Sequence, residues 1–398
     1  MTKVSLSKKV VVGILISVTC LIVAFYINQK TRLSQTVLTV SNNLYYKLYP
    51  DRAKQSFAVK TVWGAETITD PCAIELINTS LMQRLHSIDQ SGPQSYFGLN
   101  AQGVSSVVRH FSRFEHSLGV YLLLVKAGAS HDEQIAGLMH DASHTVFSHV
   151  GDMIFGKGDG VKSYQDGILI DYLNSYDDVK EILHRYNMHL EDMDPDKEEY
   201  TALERPLPDL CADRIQYIIH TGVLLDCITK DQAREIVQDL EFKNGLWFFK
   251  NIEIAHRFGS ISLYCLQALW GSHVNAFFYL IFKHMLLRAL EIKLVTAHDL
   301  HYSIDKKILE ILFQSNDPYI QRLLQYTNDW ERWYQVVSYD QSDINYRIKF
   351  RGVNPYVLVD GILQRLTAVC PTYSCDYEKE KQWCANGYGL KLLFDLQV

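Results

Sequence analysis

Apolar positions recur along this chain with several different periods, and most of them read as helix. Residues 10–27 form an uncharged run of 18 residues. As a helix it would be about 27 Å long, close to the roughly 30 Å of a bilayer core. Lys8 and Lys9 precede it, and Lys30 and Arg32 follow. These flanks predict an N-terminal membrane anchor over residues 1–33, an uncleaved signal-like segment, and hence a single-pass membrane protein. Positive charge is nearly balanced across the run, which leaves the side of the membrane open.

From Ile74 the period shortens. Leu76, Leu81 and Leu85 recur at helical intervals through Ser87, and Gly92-Pro93 then marks a loop. Further helices are predicted over 114–125, 134–141, 164–186 and 231–240. The span 254–295 is too long for one helix, and Gly271-Ser-His273 supplies a break. Pro206-Leu-Pro-Asp209 starts another helix. Its continuation places Asp213, Tyr217 and His220 on one face and Ile215, Ile218 and Ile219 on another. Beyond 341 the pattern turns to alternation in Tyr346-Arg-Ile-Lys-Phe350, and Pro355-Tyr-Val-Leu-Val-Asp360 and Leu366-Thr-Ala-Val-Cys370 follow as β-rich runs. The prediction is a mainly α fold: a helical bundle over 60–340 and a small strand-containing C-terminal region over 341–398.

Composition narrows this little. The chain has 398 residues, 47% hydrophobic and 21% charged, as a globular protein should. Its net charge of −6 provides no basic field for nucleic acid. The eight cysteines include no Cys-x-x-Cys pair, which excludes a disulfide scaffold. Cys370, Cys375 and Cys384 lie close together but lack a fourth ligand at zinc spacing.

Ala136-Gly-Leu-Met-His-Asp-Ala-Ser-His-Thr-Val-Phe-Ser-His-Val-Gly-Asp152 changes the picture. It holds three histidines and two aspartates among apolar or small neighbours, so its polar groups face an enclosed site. His140 and Asp141 offer an adjacent imidazole nitrogen and carboxylate oxygen, both ligands for a divalent metal. His144 would lie one turn after His140 if the helix continued. Upstream stands Ser112-Arg-Phe-Glu-His-Ser-Leu-Gly-Val120, and downstream Ala212-Asp-Arg-Ile-Gln-Tyr217.

The order His116, His140-Asp141, Asp213 resembles the HD superfamily of metal-dependent phosphohydrolases, and the phrasing resembles its deoxynucleoside triphosphate triphosphohydrolase branch. The resemblance runs from about Leu76 to Gly222. It implies an HD-domain helical bundle and one divalent ion, Mn, Fe, Ni, Zn or Mg, on His116, His140, Asp141 and Asp213. His144 and Asp152 correspond to the groups that handle protons, His144 alternatively serving only to pack and to orient a ligand. Gln90, Arg113, Arg214 and Tyr217 correspond to substrate contacts. Arg113 could instead pair with Glu115, and Tyr217 could be a core aromatic. In Ser163-Tyr-Gln-Asp-Gly167, Tyr164 stands where the branch carries a further histidine. The helix that grips a triphosphate has no clear counterpart in 273–290. Two functions follow: a phosphohydrolase acting on a nucleotide or related phosphoester, tethered to a membrane, or a catalytically silent module that binds a nucleotide or a protein there.

Overall fold

The computed structural model describes residues 55–96, 99–100, 103–104, 111–156 and 163–396. It opens with a hairpin, β1 (Phe57–Thr61) and β2 (Gly64–Ile68), registered Phe57 against Ile68. Two short helices follow, α1 (Pro71–Ile77) and α2 (Ser80–Arg84). The single helix expected here is broken at Asn78-Thr79, because the Thr79 hydroxyl caps α2 by accepting from the Met82 amide.

β3 (Leu99–Asn100) and β4 (Gly103–Val104) form a minimal pair. Ser112 and Glu115 then make a reciprocal capping box at the start of α3 (Arg113–Ala127), which ends at Gly128 in the left-handed conformation. A three-residue turn leads into α4 (His131–Met139), capped by Ser130. After α5 (Val150–Phe155), α6 (Tyr164–Asn174) and α7 (Asp177–Arg185) replace the one predicted helix, with the break at Ser175-Tyr176.

α8 (Ala212–Leu224) and α9 (Lys230–Asp239) lead to β5 (Leu240–Lys243) and β6 (Leu246–Phe249). Asn244 and Gly245 both have positive φ, 53° and 76°, as a two-residue hairpin turn requires. α10 (Ile252–Cys265) and α11 (His273–Glu291) are separated at Gly271-Ser272, as the pattern predicted, after one π turn. α12 (Ala297–Tyr302), α13 (Asp305–Gln314) and α14 (Pro318–Asn328) complete the helical part.

Beyond it lie β7 (Tyr334–Val337), β8 (Ile344–Tyr346), β9 (Tyr356–Val359) and β10 (Ile362–Arg365). α15 (Leu366–Val369), α16 (Pro371–Asn386) and β11 (Tyr388–Leu392) follow. Leu366-Thr-Ala-Val369, expected as strand, is a helical turn. The strands after 341 pair with strands before it: β9 runs parallel to β6, and β11 lies between β7 and β8.

α3 contributes to two of the cores. Val120 and Leu124 join one core with Ile215 and Ile219 of α8 and Phe258 of α10. Leu118 and Tyr121 join a second, with Leu76, Leu138 and Leu173. A third core, built on Phe277, Phe282, Ile308 and Ile320, takes in Val146 and Phe147. Truncating a fully buried leucine such as Leu124 to Ala would cost about 2–5 kcal/mol. Gly137 of α4 faces Leu124, Val120 and Leu203 so closely that a Cβ there would collide with Leu124 and crowd the other two. Its lack of a side chain lets α4 approach α3.

The expected single-pass membrane protein is corrected here. No helix among the described residues is long and apolar enough to cross a membrane. The longest, α11, carries Lys283, Arg288 and Glu291. Residues 10–27 lie outside the described residues.

Candidate metal centre

His116 lies in the first turn of α3, fully buried. His140 is the last residue of α4's capping region, and its Nδ1–H donates 2.7 Å to the Gly137 carbonyl, which the helix end leaves without a backbone partner. Asp213 is the second residue of α8, where the helix dipole favours a carboxylate. Their ligand atoms lie within 4.8 Å of one another. His116 Nε2 is 2.9 Å from Asp213 Oδ1, and His140 Nε2 is 3.6 Å from the same oxygen.

The chemistry of these contacts tests whether a cation fits. Nδ1 of His116 faces Gln216 Oε1 at 2.5 Å, so Nδ1 carries the proton and Nε2 presents a lone pair. Nε2 of both histidines is buried without a directed hydrogen bond. The 2.9 Å approach to Asp213 is therefore a meeting of two acceptors, which needs a proton or a cation between them. A divalent ion at about 2.0–2.3 Å from each would satisfy the three groups together.

Asp141 reaches the same place from another side. Its Oδ2 is 3.5 Å from His116 Nε2, and its Oδ1 is 3.6 Å from His140 Nε2. The carboxylate is also held by Arg113 Nη1 at 2.7 Å and His144 Nε2 at 3.1 Å. Burial opposes charge on His140, Asp141 and Asp213, yet the opposite charges outweigh it. Burial would hold His140 neutral, but Asp141 and Asp213 lift its pKa to about 10. Burial raises Asp213, but protonated His116 and His140 beside it would bring it below the usual carboxylate range, the effect a cation in their place would also have. Asp141 is likewise brought down, by Arg113 first and then His140, against its burial. A bound divalent ion would take the place of the His140 proton.

α4 stops at Met139, so His144 is not on a continued helix as the spacing suggested. The chain instead turns through Phe147 and Ser148, both with φ near +55°, an uncommon conformation for residues with side chains. Asp305, buried at the start of α13, holds this turn. Its carboxylate accepts from the Phe147 amide at 2.7 Å, the Asp89 amide at 3.0 Å and the Tyr96 hydroxyl at 2.8 Å. Ser148 Oγ donates to the Asp89 carbonyl and accepts from Arg113 Nε at 3.0 Å.

The turn decides which histidine Asp152 serves. Asp152 Oδ2 pairs with His149 Nδ1 at 3.1 Å, and its Oδ1 accepts from the Tyr164 amide at 2.7 Å. The His144–Asp152 partnership is not formed. Burial, with Arg113 adding to it, lowers the His144 pKa to about 3. His149 is 41% exposed, stands edge-on to His144 at 5.0 Å between ring centres, and has Nε2 3.5 Å from Arg113. The sequence pointed to no role for His149; its place three residues before Asp152 was the available signal. The Tyr164 hydroxyl faces away, to His301 Nε2 at 2.9 Å.

Of the expected substrate contacts, Arg113 is buried and occupied by Asp141, Ser148 and the Gln90 carbonyl, while Glu115 caps α3 instead of pairing with it. Arg214 donates to the carbonyls of Asp209 and Arg205 and so braces the loop before α8. Tyr217 packs edge-on against Trp270 at 5.1 Å. Gln90 is tied through its backbone to Phe111 and Arg113, and its Oε1 is buried without a partner.

Residues 113–217, the stretch that carries His116, His140, Asp141 and Asp213, match the HD domain. Over 320 residues the chain is 32% identical to YdhJ of Bacillus subtilis (strain 168), covering 80% of this chain and 94% of that protein. The chain belongs to the HD superfamily. This HD protein is also 31% identical over 180 residues to the metal-dependent phosphohydrolase cns2 of Cordyceps militaris, spanning 45% of this chain and 48% of that one. A phosphohydrolase from Bacteroides thetaiotaomicron VPI-5482 shares the fold, with a TM-score of 0.64 and 16% identity over 86% of this chain and 100% of that one. A protein from Aquifex aeolicus does so with a TM-score of 0.57 and 14% identity, over 80% of this chain and 93% of that one.

Proposed function

We propose that this HD protein is a hydrolase of small phosphoesters, nucleotides being the first class to test, and that it uses one divalent ion on His116, His140, Asp141 and Asp213. One observation carries the reading: the buried nitrogens His116 Nε2 and His140 Nε2 face the half-buried Asp213 Oδ1, a meeting of acceptors that only a cation or protons reconcile. The cns2 relative bears on it as well, because its name gives metal-dependent phosphohydrolysis. When bound, a divalent ion acidifies water and offsets phosphate charge.

The chain's own groups supply the remaining steps. Arg113 holds Asp141 ionised and in place. Asp152 accepts from His149 Nδ1–H, which orients the ring and turns its Nε2 outward from the pair. His149 Nε2 then delivers a proton to the departing oxygen, a role the buried, neutral His144 fills poorly. His144 orients Asp141 through Nε2. Tyr164 replaces the histidine of the triphosphohydrolase branch and turns its hydroxyl to His301, which favours substrates other than deoxynucleoside triphosphates.

The test is metal analysis of the purified protein with a panel of nucleoside mono-, di- and triphosphates and simple phosphoesters, each assayed with Mn2+, Mg2+, Zn2+ and Ni2+. One class should turn over, and Asp213→Ala should lose both ion and activity. Stoichiometric ion with no turnover across the panel would leave the silent binding module as the function. Absence of bound ion under all conditions overturns the proposal.

A further inference from the structure

Gln216 lies one turn after Asp213 on α8, almost completely buried between two histidines. Its Oε1 faces His116 Nδ1 at 2.5 Å, and its Nε2 faces His220 Nδ1 at 3.3 Å. A primary amide has one accepting end and one donating end. Whichever way it turns, it assigns opposite roles to the two imidazoles. With oxygen toward His116, Nδ1 of His116 must carry the proton and Nε2 is left as a lone pair at the metal position. With nitrogen toward His116, the proton moves to Nε2 and the ligand is lost.

Three features set the direction. The His220 ring lies flat against Phe111, 3.5 Å between ring centres, which fixes where its Nδ1 points. The Gln216 amide nitrogen can only donate, so at 3.3 Å it requires His220 Nδ1 to be the acceptor, and burial, which lowers the His220 pKa to about 3, keeps the ring from the doubly protonated form that could not accept. Gly119 of α3 leaves the room: a Cβ there would come within 2.7 Å of Gln216 Cγ and Nε2.

We infer that Gln216, oriented by His220, is a positioning residue that sets the His116 tautomer and thereby the affinity of the centre for its ion. This rests on the reading of His116 as a ligand. Partners that fix ligand tautomers typically contribute about 10–100-fold in metal affinity. The unusual element is the dependence on His220, which touches no ligand.

The test is titration of the metal-stripped full-length protein with Co2+ alone, following its visible absorption, together with long-range 15N–1H spectra of the histidine rings. The wild-type apoprotein should show His116 protonated at Nδ1. Gln216→Leu should bind Co2+ about 10–100-fold more weakly and show mixed His116 tautomers. His220→Leu should weaken binding in the same direction by freeing the amide to turn. Gln216→Glu has oxygen at both ends, so adding His220→Leu to it should change affinity less than twofold. Wild-type protein that binds no Co2+ refutes the metal reading itself. Wild-type protein that binds, with Gln216→Leu binding equally well, refutes this inference. So does a His220→Leu effect of equal size in the Gln216→Glu background, because that result assigns His220 to packing. Should Gln216→Leu not fold, the comparison of His220→Leu in the two backgrounds still decides.

Discussion

Arg113→Met tests the ion pair under the centre. The substitution keeps much of the side chain's length and removes its charge. Arg113 is 2% exposed and holds Asp141 Oδ2 at 2.7 Å. Without it, Asp141 remains in an enclosed site with only imidazoles opposite. Breaking a buried pair from one side typically costs about 3–5 kcal/mol, because an uncompensated charge stays behind. Arg113 also donates to Ser148 Oγ at 3.0 Å and the Gln90 carbonyl at 3.3 Å. Each such bond is worth about 0.5–1.5 kcal/mol, although losses within one network do not add. The metal-stripped variant should therefore unfold in urea with about 3–5 kcal/mol less stability than wild type and an unchanged m-value. Added Mn2+ should restore part of the loss, since a cation on the far side of Asp141 compensates the same charge. In an Asp141→Asn background the substitution should cost at least about 2 kcal/mol less, the coupling expected of a close pair. Stability within about 1 kcal/mol of wild type, or a cycle additive within about 0.5 kcal/mol, would refute the role given to this pair.

Two further outcomes follow from the same geometry. His149→Ala should lower turnover of the best substrate by about 10²–10⁴ while the ion stays bound; a rate within threefold of wild type would remove His149 from proton transfer. Burial raises the Asp305 pKa from 3.8 to about 6, against the pull of the Asp89 and Phe147 amides. Its protonated form is thus favoured in the fold, so the stability it contributes is complete below about pH 4 and lost as pH rises toward 6. That loss is on the order of 3 kcal/mol. Urea unfolding of wild type and Asp305→Asn from about pH 4 to 7 should show wild type falling relative to the variant over that window, and parallel curves would show that Asp305 does not titrate there.

The candidate ligands could be read in the chain because their chemistry is local. His140 and Asp141 are adjacent in a stretch of apolar or small residues, and His116 and Asp213 stand in short phrases, Arg113-Phe-Glu-His116 and Asp213-Arg-Ile-Gln-Tyr217, that carry the resemblance. An ionisable residue within an apolar run has to be met by something, and that demand is visible without coordinates. The helices were legible for a similar reason, since their 3.6-residue period and their caps are properties of a few consecutive residues. Partnerships were not. The family resemblance joined His144 to Asp152, but the positive-φ turn at Phe147-Ser148 swings His149 into that place. That turn is held by Asp305, more than 150 residues away. Arg113 read as a free phosphate contact because Asp141, which occupies it, lies on another helix's end. Gln216, beside Ile215, Ile218 and Ile219, carries no sign in the chain that it meets His116, because only the close approach of α8 to Gly119 on α3 brings them together. A residue's type sets what it can bind, whereas hydrogen bonds and ion pairs act over about 3 Å, so the partner is chosen by the packing of segments distant in sequence.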